Sequence, residues 1–428
     1  MFRLLYNILI WLITLTVFPI WLVRQKIKGK PVLPYLFGFS QKELNLISGR
    51  KVLWVQAASV GETMVAARLI QEIKKVFPEQ AIVFTGNTMT GQATAKRVIG
   101  EKADLIGYFP FDHPWIVNRF LARLKPDYLI LIETEIWPNV LHYSKKRSVK
   151  IAIVNGRLNK SYRRLKKYGF YESALKSIDY IGAQTERDRE RFIKLGAEPA
   201  KVEVTGNIKF DFIDPVTPEI EINNLFDSLS ITKTTPILVA ASTHRGEEEV
   251  LIAAFKAIKR EVPEALMVLA PRYPDQAEEV IKLLIDENLK YVRRTEQAKE
   301  KKLSDKPDLL LLDTFGELGL AYSIATLAFI GGSLIPIGGH NLLEASIKEK
   351  VVLYGPYMHN FQESKELMEE AGTGFVINNG AELAERFIYF YKNPEIRNSL
   401  GKKAKHVILT NQGATEKTVG RLKLLFKL

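Results

Sequence analysis

The sequence predicts an α/β protein with two doubly wound parallel-sheet domains that follow an apolar amino-terminal helix. At 428 residues the chain exceeds one ordinary domain of roughly 100–200 residues. From residue 51 onward, short apolar runs alternate with amphipathic helical stretches, which is typical of parallel sheets covered by helices on both faces. Between residues 214 and 236 three prolines and a polar patch interrupt this alternation, and we expect a linker there.

The amino-terminal stretch 4–23 is almost wholly apolar and long enough to cross a bilayer as a helix. A basic cluster follows it, at Arg24, Lys26, Lys28 and Lys30. Basic residues favour the cytoplasmic side, so the bulk of the chain should lie inside the cell. A cleaved signal peptide would carry its basic region before the apolar stretch, where only Arg3 stands. A helix lying in the membrane interface and packing on the globular part is the remaining alternative.

The predicted strands and boundaries follow from the apolar runs. In the first domain the strands are 52–57, 82–85, 128–132, 151–154, 180–183 and 202–205. In the second they are 237–240, 266–270, 309–312, 327–330 and 351–354. We therefore predict an anchor at 1–30, a connecting segment at 31–50, domains at 51–214 and 236–428, and a linker at 215–235.

The charge of the chain indicates an anionic partner. Lys and Arg number 61 against 48 acidic residues, a net charge of +13, and the segment 145–167 holds ten basic residues and no acid. This segment is either a solvated helix face or a surface for phosphorylated lipid; a membrane-tethered nucleic-acid-binding protein is the alternative from another class. The absence of cysteine excludes disulfides, thiolate metal sites and cysteine nucleophiles.

Polar residues beyond the first-domain strands are candidates for chemistry, since ligands of such sheets bind beyond the carboxyl ends of the strands, in the expected cleft between the domains. Glu62 opens the helix after strand 52–57, where a carboxylate can serve as a general base. Its spacing from Ser59 is also that of a capping box. Glu133 follows strand 128–132, and Lys209 follows strand 202–205 as either a ligand of anionic charge or a plain surface lysine.

In the second domain, Arg272 follows strand 266–270, where its guanidinium can bind a phosphate in a fork. The segments 314–317 and 341–344 repeat the ambiguity between a helix cap and a functional Glu. The stretch 331–341 is rich enough in glycine for its backbone to approach a ligand closely. No Walker sequence, G-x-G-x-x-G or Asp-x-Asp pair is present, nor a His cluster at metal spacing, so we expect neither an ATPase nor a metal-dependent enzyme.

Taken together, the motifs strongly resemble those of the 3-deoxy-D-manno-octulosonic acid (Kdo) transferases of lipopolysaccharide synthesis. They lie in the same order and spacing from near residue 50 to the end, at 58–62, 133–139, 206–211, 271–272, 313–318 and 338–344. The resemblance implies a GT-B fold of two Rossmann-like domains, with the acceptor on the first and the nucleotide on the second. Many relatives carry Arg-x-Gly-Glu-Arg-x-Gly before the first strand, whereas this chain reads Leu-Phe-Gly-Phe-Ser-Gln-Lys at 36–42, so acceptor docking near 31–50 differs.

The resemblance also implies residue roles. Glu62 would be the proton acceptor, while Glu133 and Lys209 would stabilise the transition state. CMP would be held by Pro271, Arg272, Phe315, Gly316, Glu317, Asn341, Leu342, Leu343 and Glu344. Glu344 would bind the ribose hydroxyls.

The expected activity is inverting, metal-independent transfer of Kdo from CMP-Kdo, without a cofactor, to a lipid A precursor (lipid IVA). The expected location is the cytoplasmic face of the inner membrane, on an anionic surface, with no nucleic acid partner. A GT-B transferase or epimerase that uses a UDP-sugar is the alternative, because the element Gly-Gly-His-Asn-x-x-Glu at 338–344 would suit any nucleotide ribose.

Overall fold

The computed structural model describes residues 2–27, 38–158, 170–213, 216–299 and 302–426, with only the backbone of 17–27 described. The chain divides into two compact units, one formed by Met1–Phe212 with Asn411–Leu428 and the other by Ile213–Thr410. Each unit contains one seven-stranded parallel sheet. The predicted two-domain parallel α/β class is therefore confirmed.

The first unit alternates strands and helices along the chain. Its strands are β1 (Val52–Ala57), β2 (Ala81–Gly86), β3 (Leu105–Tyr108), β4 (Tyr128–Ile132), β5 (Lys150–Gly156), β6 (Tyr180–Ala183) and β7 (Val202–Val204). Its helices are α1 (Phe2–Ile27), α2 (Gln41–Asn45), α3 (Val60–Val76), α4 (Met89–Val98), α5 (Pro114–Leu124), α6 (Pro138–Lys146), α7 (Phe170–Leu175) and α8 (Glu186–Lys194). The sheet order is β3-β2-β1-β4-β5-β6-β7.

The first sheet is covered on both faces, as its continuous apolar strands predict. Successive residues of β1 enter different cores: Trp54 packs in one cluster, while Leu53 and Val55 pack in the other. All six residues of β1 are buried. The carboxyl ends of β1 and β4 lie side by side because these strands are parallel neighbours.

The second unit repeats this plan. Its strands are β8 (Ile237–Thr243), β9 (Leu266–Pro271), β10 (Tyr291–Arg293), β11 (Leu309–Leu311), β12 (Leu327–Ile330), β13 (Val351–Tyr354) and β14 (Gly374–Val376), in the order β10-β11-β9-β8-β12-β13-β14. Its helices are α9 (Glu219–Ser228), α10 (Glu248–Glu261), α11 (Ala277–Asp286), α12 (Arg294–Gln297), α13 (Leu318–Ile324), α14 (Leu343–Ser346), α15 (Gln362–Glu370), α16 (Gly380–Lys392) and α17 (Pro394–Thr410). A last helix, α18 (Ala414–Phe426), belongs to the first unit.

Two predicted boundaries differ from the structure. The predicted linker 215–235 contains α9, which buries Leu225 and Phe226 in the second unit. The prolines and polar residues of this stretch therefore flank a packed helix. The second domain, predicted as 236–428, ends at Thr410, and Leu422 and Phe426 of α18 are buried in a core of the first unit, a return of the closing helices that is compatible with the sequence.

Helix α1 packs on the first unit through one side. The hydroxyl of Tyr6 donates to Asp112 Oδ2 at 2.8 Å, Asn7 Oδ1 accepts from Asn139 Nδ2 at 2.8 Å, and Ile10 is 7% exposed. The other side is apolar and exposed, at Leu4, Leu5, Ile8, Leu9, Trp11, Leu12 and Leu15. Within the described part of the chain, no helix has the length and apolar character needed to span a bilayer. The predicted anchor 1–30 and span 4–23 extend into residues 17–30, whose side chains lie outside the described residues.

Candidate functional site

The first-unit site lies at the carboxyl ends of β1 and β4. Glu62 stands in the first turn of α3, directly after β1, and Glu133 follows β4. Because β1 and β4 are hydrogen-bonded neighbours, the two carboxylates are brought to the same edge of the sheet. This agrees with the placement that the sequence predicted.

Glu62 is half-buried and makes only one of the two capping-box contacts that its spacing predicts, because its carboxylate accepts the N–H of Ala58 instead of that of Ser59. Its Oε2 accepts the N–H of Ala58 at 2.7 Å, its Oε1 accepts the Ser59 hydroxyl at 3.1 Å, and its own N–H is capped by Ser59 Oγ at 3.2 Å. Burial raises the pKa of Glu62, the Ala58 and Ser59 contacts lower it, and the charges of Glu135 and Glu133 raise it further. The net rise makes Glu62 a stronger base than a free carboxylate, so the cap does not remove its chemistry.

Glu133 pairs with Lys209, which joins two residues that are far apart in the sequence. The Lys209 Nζ lies 2.9 Å from Glu133 Oε1, and the two side chains are 39% and 18% exposed. Glu133 has a φ of 58°, a left-handed conformation that is uncommon outside glycine and costs free energy. Such strain concentrates at functional sites, and here it turns the carboxylate toward the lysine after the strand ends.

Glu135 completes a cluster of three carboxylates. Its Oε2 accepts from Trp137 Nε1 at 2.8 Å, from Gln56 Nε2 at 3.4 Å and from Asn87 Nδ2 at 3.5 Å. Burial raises the pKa of Glu135, and this effect exceeds the lowering by these hydrogen bonds. Our sequence analysis missed Gln56 and Asn87. The signal for Gln56 is a polar side chain inside an otherwise apolar, fully buried strand.

The second-unit site lies at the carboxyl ends of β8, β9, β11 and β12. Pro271 is the buried last residue of β9, and Arg272 after it is exposed. The positive charge of Arg272 acts on His244, His340 and Glu344, so these side chains lie within electrostatic range of it. This arrangement suits an anionic ligand.

The predicted residues 315–317 form a projecting loop. Phe315 is 79% exposed, and Gly316 has a φ of +86° that favours glycine. Glu317 Oε1 accepts from Arg294 Nε at 2.9 Å and from Nη2 at 2.6 Å, and its other oxygen accepts from the Thr314 hydroxyl. Burial alone would raise the pKa of Glu317, but these hydrogen bonds and the Arg294 charge lower it. The Glu317 carboxylate is therefore already paired within the protein, and the sequence analysis missed Arg294.

The predicted residues 341–344 begin the short helix α14. Asn341 Oδ1 accepts the N–H of Leu343 at 3.2 Å, and Asn341 Nδ2 donates to Glu344 Oε1 at 3.0 Å. Leu342 and Leu343 are buried, and the Leu343 N–H already has Asn341 as its acceptor, so these two residues pack beneath the polar pair. Glu344 remains open to solvent, although the surrounding protein raises its pKa through desolvation.

The backbone of the glycine-rich stretch 331–341 makes close contacts inside the protein, while the approach of a ligand to it stays a prediction. The N–H groups of Gly332, Ser333 and Leu334 donate to the buried carboxylate of Glu247, at 2.6–3.0 Å. A Cβ at Gly331 would lie 2.4 Å from the Ser242 carbonyl oxygen, and one at Gly339 would meet Met358. Glu247 is fully buried, and the sequence analysis missed it because it resembles an ordinary helix-start Glu.

The basic segment 145–167 is partly neutralised where the structure describes it. Lys145 Nζ lies 2.7 Å from Asp179 Oδ1, Lys150 lies 3.9 Å from the same oxygen, and Arg147 donates to Asn118. Residues 159–169 lie outside the described part of the chain.

Comparisons with known proteins agree with these motifs. A family model described as 3-deoxy-D-manno-octulosonic-acid transferase (kdotransferase) matches residues 33–212. The 3-deoxy-D-manno-octulosonic acid transferase of Haemophilus influenzae is 33% identical over 378 residues, which cover 87% of this chain and 86% of the relative. The enzyme of the same name from Bordetella pertussis is 30% identical over 382 residues, 86% of each chain.

Solved structures show the likeness in fold. A glycosyltransferase from Rickettsia africae aligns with a TM-score of 0.57 and 15% identity over 89% of this chain and 99% of its own. A UDP-GlcNAc 2-epimerase from Neisseria meningitidis aligns with a TM-score of 0.55 and 15% identity over 84% of this chain and 99% of its own. At this identity the likeness extends to the GT-B-like fold alone.

Proposed function

Because the chain belongs to the Kdo transferase family and is a glycosyltransferase, we propose that it moves Kdo from CMP-Kdo to a lipid A precursor, lipid IVA. The transfer inverts the anomeric configuration and uses no metal ion. CMP-Kdo carries a single phosphate, so cationic side chains suffice for the charge that a metal would otherwise neutralise.

The first unit supplies the base. The Glu62 carboxylate takes the proton of an acceptor sugar hydroxyl, and the hydroxyl oxygen attacks the anomeric carbon of Kdo while the bond from that carbon to the CMP phosphate oxygen breaks. The raised pKa of Glu62 supports this role, since proton transfer is most effective when the pKa of the base approaches the working pH. Glu133 and Lys209 stabilise the transition state, which has oxocarbenium character at Kdo.

The second unit binds the nucleotide. Arg272 neutralises the negative charge that grows on the departing phosphate, the backbone of 315–317 contacts the base, and Asn341 with Glu344 binds the ribose. The pairing of Glu317 with Arg294 supports a backbone role for this loop, since that carboxylate has its partner already. Pro271, Leu342 and Leu343 are buried and shape the site through packing.

Helix α1 attaches the protein to the cytoplasmic face of the inner membrane. Its exposed apolar side carries seven large hydrophobic residues, each 49–68% exposed, while the opposite side is hydrogen-bonded to the first unit. Exposed apolar patches of this kind are typical of membrane or protein contact, and the net positive charge of the chain suits anionic lipid.

The observation that carries the proposal is the half-buried Glu62 with its raised pKa, in a chain related over most of its length to Kdo transferases. The test is incubation of the purified protein with CMP-Kdo and a tetraacylated lipid A precursor, followed by mass spectrometry and by NMR of the new anomeric centre. We expect one mass step for each Kdo added and an inverted linkage. Turnover of a UDP-sugar with no product from CMP-Kdo would overturn the proposal in favour of the UDP-sugar alternative.

A further inference from the structure

Two histidines in the second unit form a direct hydrogen bond that no role above uses. His244 follows β8, His340 follows the turn after β12, and their Nε2 atoms lie 2.8 Å apart. The rings are 4° from parallel with centroids 5.1 Å apart. The centroid separation equals the N···N distance plus the distance from each centroid to its Nε2 atom. The two centroids and the two Nε2 atoms therefore lie on one line, and the parallel rings lie end to end in one plane. This is the geometry of an N–H···N bond.

The pair is held by a buried framework. The backbone N–H of His244 donates to Glu247 Oε2 at 3.1 Å, and the same carboxylate accepts the backbone N–H of Gly332. The Gly332 carbonyl in turn accepts the N–H groups of Gly338 and Gly339, at 3.1 and 2.7 Å, immediately before His340. Glu247 thus fixes the chain segments that carry both rings.

Gly332 leaves room for the pair. Its φ is +65°, and a Cβ there would lie 3.1 Å from the His340 ring. A larger residue would press on the imidazole and strain the backbone. The contact between the two rings therefore depends on glycine at position 332.

The bond restricts the protonation states of the pair. Only one proton can lie between the two Nε2 atoms, so the two rings together hold at most one positive charge. In the neutral pair one outer Nδ1 carries a proton and the other a lone pair. Burial, together with the charges of Arg272 and His244, lowers the pKa of His340 to about 4.

The neighbours of the pair act in both directions. Burial lowers the pKa of His244, the charge of Glu247 raises it, and the charge of Arg272 lowers it. Tyr273 contacts His244 edge-on, and the ring of His359 lies beside Gly338 on the same loop. With Arg272 unopposed by a ligand, the pair is neutral at neutral pH. A bound phosphate would neutralise Arg272 and favour the charged pair.

We propose that the His244–His340 pair takes up one proton when the nucleoside monophosphate binds, and that the protonated pair donates a hydrogen bond to its phosphate. The proton comes from water and adds to the free Nδ1 lone pair, while the Nε2 proton stays shared between the rings. The pair then supplies positive charge to the departing phosphate only when the site is occupied. This inference rests on the proposed CMP-binding function.

The test is calorimetric titration of the full-length protein with CMP at pH 8 in two buffers of different ionisation enthalpy. At this pH CMP is almost wholly a dianion, since the second phosphate pKa lies near 6, so the ligand itself releases few protons. We expect net proton uptake when CMP binds, because the pKa of the pair must rise for it to become charged, and no uptake with cytidine. The double variant His244→Gln/His340→Gln should bind CMP more weakly and without uptake.

Control variants separate this role from a structural one. His359→Gln removes a neighbouring histidine outside the pair and should leave the uptake unchanged. His340→Gln should reduce the uptake without unfolding the unit, as judged from an unchanged thermal transition. CMP binding without proton uptake, or uptake that persists in the double variant, would overturn the inference and leave the proposed function standing. Absence of CMP binding to the wild type would overturn both.

Discussion

The carboxyl edges of the two sheets share a topology, but two acidic residues of the first edge differ from two of the second in their partners. In the first unit Glu62 and Glu135 are half-buried, and burial raises the pKa of each. In the second unit Asp313 is buried and Glu317 is half-buried, but each is paired with an arginine. Burial would raise the pKa of Asp313, yet hydrogen bonds from Thr295 and Arg293 lower it.

The difference shows that the partners of these four carboxylates, rather than their place after a strand, set the direction of each pKa shift. At the first edge Glu62 and Glu135 have no hydrogen bond from a lysine or arginine in the described residues, so they keep the affinity for a proton that a base needs. Carboxylates held by Arg293 and Arg294 at the second edge are fixed anions that shape a loop. The second edge then presents Arg272 and two imidazoles to its ligand.

The largest expected effect is that of Glu62→Gln. It should lower the transfer rate by on the order of a hundredfold or more, because the base is lost, while CMP affinity stays nearly unchanged. Product formation and CMP calorimetry measure the two quantities.

Glu382→Gln is the matched control for this change. Glu382 accepts the N–H four residues before it at 2.9 Å, as Glu62 does, and its own N–H is capped by Asn379 at 3.0 Å. It lies at the start of α16, after the outermost strand β14 of the second sheet, and is not one of the candidate site residues. Equal losses in the two variants would mean that Glu62 acts only as a cap.

Lys209→Met should lower the transfer rate by roughly ten- to a hundredfold, because it removes positive charge beside Glu133 from the first edge. Stability should change by no more than about 1 kcal/mol, since the lysine is partly exposed. Lys201→Met, which breaks the 2.9 Å pair with Glu198 elsewhere in the unit, is the control. A lowered thermal transition temperature with little change in the transfer rate would indicate a structural ion pair instead.

Arg272→Lys should weaken CMP binding by about tenfold at the second edge, because a lysine cannot reproduce the guanidinium fork on a phosphate. Calorimetry with CMP measures the effect, and the exposed Arg260→Lys on the same unit is the control. Unchanged affinity would contradict a phosphate contact by Arg272.

The smallest effect is a displacement of the pH profile by Glu135→Gln. The carboxylate form of Glu62 is lost as the pH falls through its raised pKa, so the transfer rate should fall on the acid side above the usual carboxyl range. The charge of Glu135 contributes to that rise, so its removal should move the acid limb to lower pH. The rate measured across pH for both proteins tests this; an acid limb that does not move would contradict coupling of the two carboxylates.

The sequence predicted the central strands but not three edge strands, β3, β10 and β14. All three lie at the sheet edges and most of their residues are only partly buried, so they lack the continuous apolar run that marks a central strand. Edge strands bury less surface, and their residues carry less of the signal.

The placement of a residue was predictable where it lies just beyond the end of a strand, as Glu62, Glu133 and Arg272 do. It was not predictable where the partner comes from another element, as with Arg294 on Glu317 or Asn87 on Glu135. Glu247 and the two histidines were missed for the same reason. Glu247 accepts three N–H groups that are distant in the sequence, and His244 and His340 are likewise far apart, so no local pattern marks them.

Helix α18 has a consequence for the order of events during synthesis. Its first turn is capped by Asp211, whose oxygens accept the N–H groups of Gly413 and Thr415 at 2.7 and 2.6 Å, and its end places Phe426 on Tyr128 with ring centres 4.2 Å apart. Domains usually fold as the ribosome releases them, starting from the amino terminus. Here the core of the amino-terminal unit is complete only once α18, which follows the whole second unit in the chain, has been synthesised.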